Sequence, residues 1–126
     1  RGAPGGLHAA LRASHTEWIF AAACDMPRLD AAGILFLAER RGNVDAVIVE
    51  CFGRVEVLGA FWSRRCLPVL EALLKVRTPS LVELALEVNT DLVPMADWLE
   101  RDPEARFFEN ANVPEDLDRL GLSRDA

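Results

Sequence analysis

Long hydrophobic runs are missing from this sequence. The longest, Trp18 to Cys24, is of strand length, far short of the roughly 18–20 residues of a membrane span, so no membrane segment is expected. Cations are scarce as well: 14 Lys plus Arg stand against 20 Asp plus Glu, a net charge of −6 with a pI near 4.9. A broad nucleic-acid or anionic-membrane surface needs clustered cations and is not expected on such a chain. Cysteine is limited to Cys24, Cys51 and Cys66. Their odd number and the lack of any Cys-x-x-Cys pair argue against a disulfide framework or a zinc knuckle, and they read as reduced core thiols of a cytoplasmic protein. No internal repeat or low-complexity tract is visible. The basic, apolar and small-residue plan of a signal peptide is absent from the first residues. The chain opens on Arg1 rather than Met, as expected of a processed protein or of one whose sequence begins inside a longer chain.

What is present is one ordinary domain: 126 residues, 51% hydrophobic and 27% charged, close to globular averages. Gly2-Ala3-Pro4-Gly5-Gly6 reads as a loop, followed by a helix with Leu7, Ala10 and Leu11 on one face. Glu17 to Cys24 is an apolar run closed by Asp25, suited to a strand buried on both faces. A buried helix is the rival reading, which the short length and Pro27 disfavour. Asp30 can cap a helix carrying Ala31, Ile34, Leu35 and Ala38, ended by Gly42-Asn43. Asp45–Val49 and Val55–Phe61 are predicted strands with a turn at Phe52-Gly53-Arg54. Ser63 and Ser80 are predicted to cap two further helices. Val93–Trp98 and Ala105–Glu109 read as short strands, and Pro114 and Gly121 bracket a closing helix. Strands alternating with helices predict an α/β, Rossmann-like fold with a largely parallel sheet and flanking helices.

In such sheets ligands bind beyond the carboxyl ends of the strands, which is where Asp25 falls. A carboxylate there suits Mg²⁺, which takes one or two carboxylates plus substrate phosphates; simple capping of the turn is the alternative role. Gly5 and Gly6 before a helix could bring backbone amides to an anion. Asn110 and Asn112 could read a polar heterocycle or a phosphate without adding charge, although capping and turn formation account for them equally. His8 and His15, seven residues apart, lack the closer spacing of helical metal ligands and read as surface or loop residues. Cys24 has no evident base beside it, and core packing is its expected role. Arg54 and Glu56 flank the predicted hairpin and can reach the same sheet edge, where an exposed ion pair would also suffice.

Taken in order, four segments resemble the molybdenum cofactor guanylyltransferase family. Gly2-Ala3-Pro4-Gly5-Gly6-Leu7 resembles the family's Gly-Pro-Leu-x-Gly-(Ile/Leu) segment, with Ala3-Pro4 in place of Pro-Leu. Ala23-Cys24-Asp25-Met26-Pro27 resembles its Cys-Asp-Met-Pro element. Gly53-Arg54-Val55-Glu56-Val57-Leu58 is similar to its Gly-Arg-x-Glu/Gln-Pro-Leu stretch, with Val57 in place of proline. Phe107-Phe108-Glu109-Asn110-Ala111-Asn112-Val113-Pro114-Glu115-Asp116-Leu117 is similar to its Phe-x-Asn-x-Asn-x-Pro-Glu-Asp-Leu ending.

The resemblance implies a nucleotidyltransferase that joins the GMP part of GTP to the phosphate of molybdopterin and releases pyrophosphate. It implies that Asp25 holds Mg²⁺, that Gly5 and Gly6 line the nucleotide pocket, and that Asn110 and Asn112, with Arg54 and Glu56, serve the substrate side. Other cofactor-biosynthesis proteins or apo-molybdoenzymes are the implied partners. The family's opening glycine-rich loop, with the lysine that holds the triphosphate, has no counterpart in these residues, whose only lysine is Lys75. Residues 1–126 are therefore expected to be the C-terminal part of one such domain, inactive alone. Cytidylyltransferases of the same pathway share much of the pattern, and a non-catalytic cofactor-binding or partner-docking module is the other alternative.

Overall fold

The computed structural model describes residues 2–110; Asn112 and the helix expected to begin at Pro114 lie outside them. In chain order the elements are α1 (Gly2–Ala13), β1 (Trp18–Ala21), α2 (Ala31–Ala38), β2 (Ala46–Cys51), β3 (Arg54–Ser63), α3 (Cys66–Leu74), α4 (Leu81–Glu87), β4 (Thr90–Val93), α5 (Met95–Leu99) and a one-turn 3-10 helix at Arg106–Phe108.

The four strands form one sheet in the order β1-β3-β2-β4, with apolar clusters on both faces. Alternation along each strand divides the side chains between the two clusters. Ala46 and Ile48 of β2, Ala60 and Trp62 of β3 and Ile19 of β1 pack with Leu7, Leu11, Leu70 and Leu84 from α1, α3 and α4. Val47, Val49, Phe61 and Phe20 pack on the other face with Leu37, Trp98 and Phe107. Burial on both sides explains why the strands read as near-continuous apolar runs.

The α/β class with flanking helices is as expected, but the sheet is mixed rather than largely parallel. β3 runs antiparallel to both β1 and β2, whereas β2 and β4 are parallel. The cause is local: only Phe52 and Gly53 separate β2 from β3, and a connection that short joins antiparallel strands only. β1, β2 and β4 thus share one direction, with β3 inserted against them. Both turn residues have positive φ, 52° at Phe52 and 76° at Gly53, as the tight hairpin turn requires. Phenylalanine is strained there while its ring stays 63% exposed. Phe52→Asn is therefore expected to stabilise the protein by about 1 kcal/mol in urea denaturation; a loss of stability would show that the ring makes contacts outweighing the strain.

Several elements differ from their predicted form. The glycine-rich start is helical from Gly2, because buried Leu7 and Leu11 dock α1 on the sheet and Pro is tolerated in a first helical turn. The run after Glu17 is a four-residue edge strand, half-buried rather than enclosed. Ser63 ends β3 and its Oγ accepts from the Arg65 N–H at 3.0 Å, so α3 starts later than expected. Pro94 ends β4 and leads into α5, where a strand over Val93–Trp98 was expected; proline has no N–H to extend the ladder. The Ala105–Glu109 segment is coiled into the 3-10 turn because the Asp102 carboxylate accepts from the Arg106 and Phe107 N–H groups, both at 3.0 Å. Asp30 and Ser80 cap α2 and α4 as predicted, Ser80 in a reciprocal capping box with Glu83.

Candidate functional site

The shared direction of β1, β2 and β4 brings their carboxyl ends to one edge of the sheet, and the antiparallel β3 starts there. That edge collects the Ala22–Met26 turn, Cys51 and Phe52, the Arg54–Glu56 segment and Pro94-Met95. Two clefts open on it. One, of about 550 Å³, is lined by Ala23, Met26, Arg54, Glu56, Phe108 and Asn110 among others. The second, about 530 Å³ and mainly apolar, lies between α1 and β1 and includes Gly6, Ala10 and Phe20. Ala23 and Leu58 line both clefts, so the two adjoin.

A bulge in β3 shapes the boundary. Between the pairs Val47↔Phe61 and Val49↔Glu56, β2 contributes Ile48 alone, while β3 inserts Val57, Leu58, Gly59 and Ala60. Bulges of this kind re-aim side chains beside sites. Gly59 takes φ 86°, and a Cβ there would lie 3.0 Å from the Phe108 ring and 3.2 Å from Met26 Cε. The indole N–H of Trp62 donates to the Val57 carbonyl at 3.3 Å and fixes the bulge from within. The backbone N–H of Ala23 donates to Met26 Sδ at 3.3 Å, tying down the turn that carries Asp25.

Glu56 is half-buried in the larger cleft. Burial pushes its carboxyl above the ordinary value of 4.5, and the nearby Arg54 guanidinium partly counters this. A carboxylic acid whose folded pKa is raised binds its proton more tightly in the folded state, so stability falls as pH rises from the ordinary value through the raised one. Glu56→Gln is thus expected to raise the Tm at neutral pH and to leave it nearly unchanged below pH 4.5. An equal gain at both pH values, read by thermal scans, would assign the effect to packing instead.

The structure brings together some of the expected site residues and separates others. Arg54, Glu56 and Asn110 share the larger cleft, and Gly6 lines the smaller. Gly5 and Gly6 are not in a loop: both lie inside α1, where interior amides are committed to helical hydrogen bonds. Gly6 contributes a small surface rather than an anion cradle, and Gly5 is not among the lining residues. Asp25 sits half-buried in the turn after β1, as the run ahead of it implied, and among the described residues no hydrogen bond or ion pair engages its carboxylate.

The same residues bear on metal binding. No group of three His, Cys, Asp or Glu side chains among the described residues could hold a metal ion. One carboxylate fits Mg²⁺ only in the mode where substrate phosphates complete the shell. Cys24 is exposed rather than in the core, while Cys51 and Cys66 are buried. Burial pushes the Cys66 thiol up to about 12 and raises that of Cys51 too, helped by Glu56, so neither is a ready nucleophile. His8 is not a loop residue: it joins α1 to α3, with Nε2 3.0 Å from Glu71 Oε2. Phe52 and Phe108 were missed as lining residues, and the Phe-Gly pair between two strands was the available signal for the first.

Helices on both faces of a sheet, with clefts gathered where three strands end, define a Rossmann-like α/β domain of the ligand-binding kind. The chain belongs to the MobA-like NTP transferase domain family, whose profile matches residues 1–88. Among curated relatives, a probable molybdenum cofactor guanylyltransferase of Carboxydothermus hydrogenoformans is 28% identical over 115 residues, which cover 91% of this chain and 58% of that protein. The molybdenum cofactor guanylyltransferase of Desulfosudis oleivorans is 30% identical over 120 residues, 94% of this chain and 59% of that one. The crystal structure of molybdopterin-guanine dinucleotide biosynthesis protein A from Archaeoglobus fulgidus superposes with a TM-score of 0.76 at 28% identity, covering 94% of this chain and 60% of its own. The chain thus spans well under two thirds of the relatives it matches.

Proposed function

We propose that residues 1–126 are the C-terminal part of a single nucleotidyltransferase-like domain in a Mg²⁺-dependent molybdopterin guanylyltransferase. The observation that carries this reading is the meeting of three separated motif segments at one sheet edge in a MobA-like chain: the turn after β1, the start of β3 and the Phe107–Asn110 segment. In the proposed reaction a phosphate oxygen of molybdopterin attacks the α-phosphorus of GTP. A new P–O bond forms, the bond from the α-phosphorus to the bridging oxygen breaks, and pyrophosphate leaves with the electron pair.

Such a transfer depends on positioning and charge neutralisation more than on covalent catalysis. Mg²⁺, held by Asp25 and the substrate phosphates, would supply that neutralisation. Gly6, at the α1 end of the smaller cleft, with Gly5 beside it in the helix, would belong to the nucleotide side. Arg54, Glu56 and Asn110, with Asn112, belong to the pterin side. The product would pass to apo-molybdoenzymes or other cofactor-biosynthesis proteins in the cytoplasm; among the described residues no helix is long and apolar enough to cross a membrane.

The test is to incubate the full-length protein with Mg²⁺, molybdopterin and labelled GTP or CTP. Guanine dinucleotide formation is expected. Transfer from CTP instead, or no dinucleotide at all, would overturn the reading in favour of a cytidylyltransferase or a binding module. The 126-residue polypeptide alone is expected to transfer nothing, since its sole lysine, Lys75, sits at the end of α3, away from any phosphate-cradling glycine-rich turn.

A further inference from the structure

The larger cleft holds one carboxylate that the fold leaves without a partner. Glu56 stands on β3 opposite Val49 of β2 and lines the cleft together with Glu104, Glu109, Asn110 and Phe108. The other two carboxylates are provided for: Arg106 pairs with Glu104 at 2.7 Å and lies 3.9 Å from Glu109. Among the described residues no side-chain hydrogen bond or ion pair engages Glu56, and Arg54, two residues earlier on the same strand, acts on it only through its charge. We propose that Glu56 is a specificity-determining residue for the pterin ring of the substrate, accepting from the ring N3–H and the 2-amino group. The choice of a pterin rests on the function proposed above.

A carboxylate withdrawn from water without a partner costs stability, so the fold itself does not account for Glu56. Its oxygens are nonetheless within reach of a ligand. Every fully buried side-chain oxygen or nitrogen among the described residues has a hydrogen-bond partner; those of Glu56 have none and so still face the open space of the cleft. The walls around it are chiefly apolar, with Met26, Val57, Leu58 and Phe108 among them. The Phe108 ring is packed in place by Phe107 and Trp98, at centroid distances of 5.0 and 5.2 Å. Apolar and aromatic walls around a few polar groups are the pattern of sites that take an organic ring.

The chemistry of the group selects the edge it reads. An ionised carboxylate only accepts hydrogen bonds, through two oxygens side by side. Two adjacent N–H donors on a planar ring satisfy both oxygens with parallel, charge-assisted bonds. The 2-amino-4-oxo pyrimidine ring of a pterin presents such a pair. A phosphate group offers only acceptors and negative charge, so the phosphate end of the substrate is turned away from Glu56. Guanine carries the same donor edge as a pterin, and the experiment has to separate the two.

The experiment titrates the full-length protein at neutral pH with pterin and lumazine, followed by their fluorescence, and with guanosine as competitor. Lumazine has an oxo group in place of the 2-amino group, so it sets an acceptor against the carboxylate. Pterin is expected to bind at least about tenfold more tightly than lumazine, the scale of one hydrogen bond to a charged group. Glu56→Gln is expected to abolish or reverse that preference, because an amide accepts from N3–H and donates to the oxo group. Glu87→Gln, exposed at the end of α4, should leave it unchanged. A purely structural Glu56 predicts the same pterin-to-lumazine ratio in the folded Glu56→Gln variant, and that result would overturn the proposal. So would equal binding of pterin and lumazine, no binding of pterin, or tighter, Glu56-dependent binding of guanosine, which assigns the edge to the nucleotide. Loss of the preference with guanylyl transfer intact leaves the proposed function standing, whereas absent transfer with the preference intact removes that function and not the role of Glu56.

Discussion

Trp98→Ala is expected to destabilise the protein by about 3–5 kcal/mol, the range for deleting a large buried aromatic side chain. Trp98 is fully buried and its ring meets Phe36, Phe107 and Phe108 at centroid distances of 5.5, 5.0 and 5.2 Å. Its indole N–H donates to the same Asp102 carboxylate that holds the 3-10 turn. Truncation therefore opens a void between aromatic rings and releases one of the three donors that anchor Asp102. Urea denaturation measures the loss, and Trp98→Phe is expected to recover more than half of it by keeping a ring in place. A loss below about 1 kcal/mol for the alanine variant would mean that the cluster collapses around the gap.

Asp25→Asn carries the largest expected effect on activity. In the complete protein it should lower guanylyl transfer about a hundredfold, or on the order of 3 kcal/mol in the transition state, the scale of a lost charge-neutralising contact. The substitution keeps the size and hydrogen-bonding shape of the side chain and removes its charge. Folding should be unaffected, since among the described residues nothing pairs with the carboxylate and asparagine serves a turn or cap about as well as aspartate. A Mg²⁺ titration of the transfer rate distinguishes the two roles: a metal ligand shifts the titration, whereas a turn former leaves rate and Mg²⁺ dependence near normal. The second result would remove Asp25 from the proposed mechanism.

Local chemistry was legible wherever one residue type does one job. Asp30 and Ser80 sit at helix starts because their side chains accept from the third residue of each helix, at 2.8 and 3.0 Å, and Phe52-Gly53 turns because little else fits between two apolar runs. Boundaries and conformations were harder to read. Asp102, just ahead of Ala105–Glu109, coils that segment through hydrogen bonds that its apolar pattern does not display, and the helix read from Leu7 and Leu11 reaches back through Gly5-Gly6 once those leucines dock on the sheet. For the site, motif residues such as Glu56 and Asn110 could be named in advance. Their grouping could not, because it depends on β3 lying antiparallel between β1 and β2.

The two-sided burial of β2 also bears on how the chain finds its pairing. A strand with one wet face is told its register by polarity, since a slip of one residue would drive its apolar set into water. β2 carries no such instruction over Ala46–Val49, where every side chain is buried; after a one-residue slip each would still meet an apolar layer, only the wrong one. The discrimination has to come from elsewhere, and two devices described above supply it. The Phe52-Gly53 turn fixes the first rung, Cys51 opposite Arg54, and the Gly59 bulge absorbs the surplus residues of β3 before Val47 meets Phe61. These two short segments act as the index marks of the sheet, and a chain that loses them can remain compact while pairing its central strands out of step.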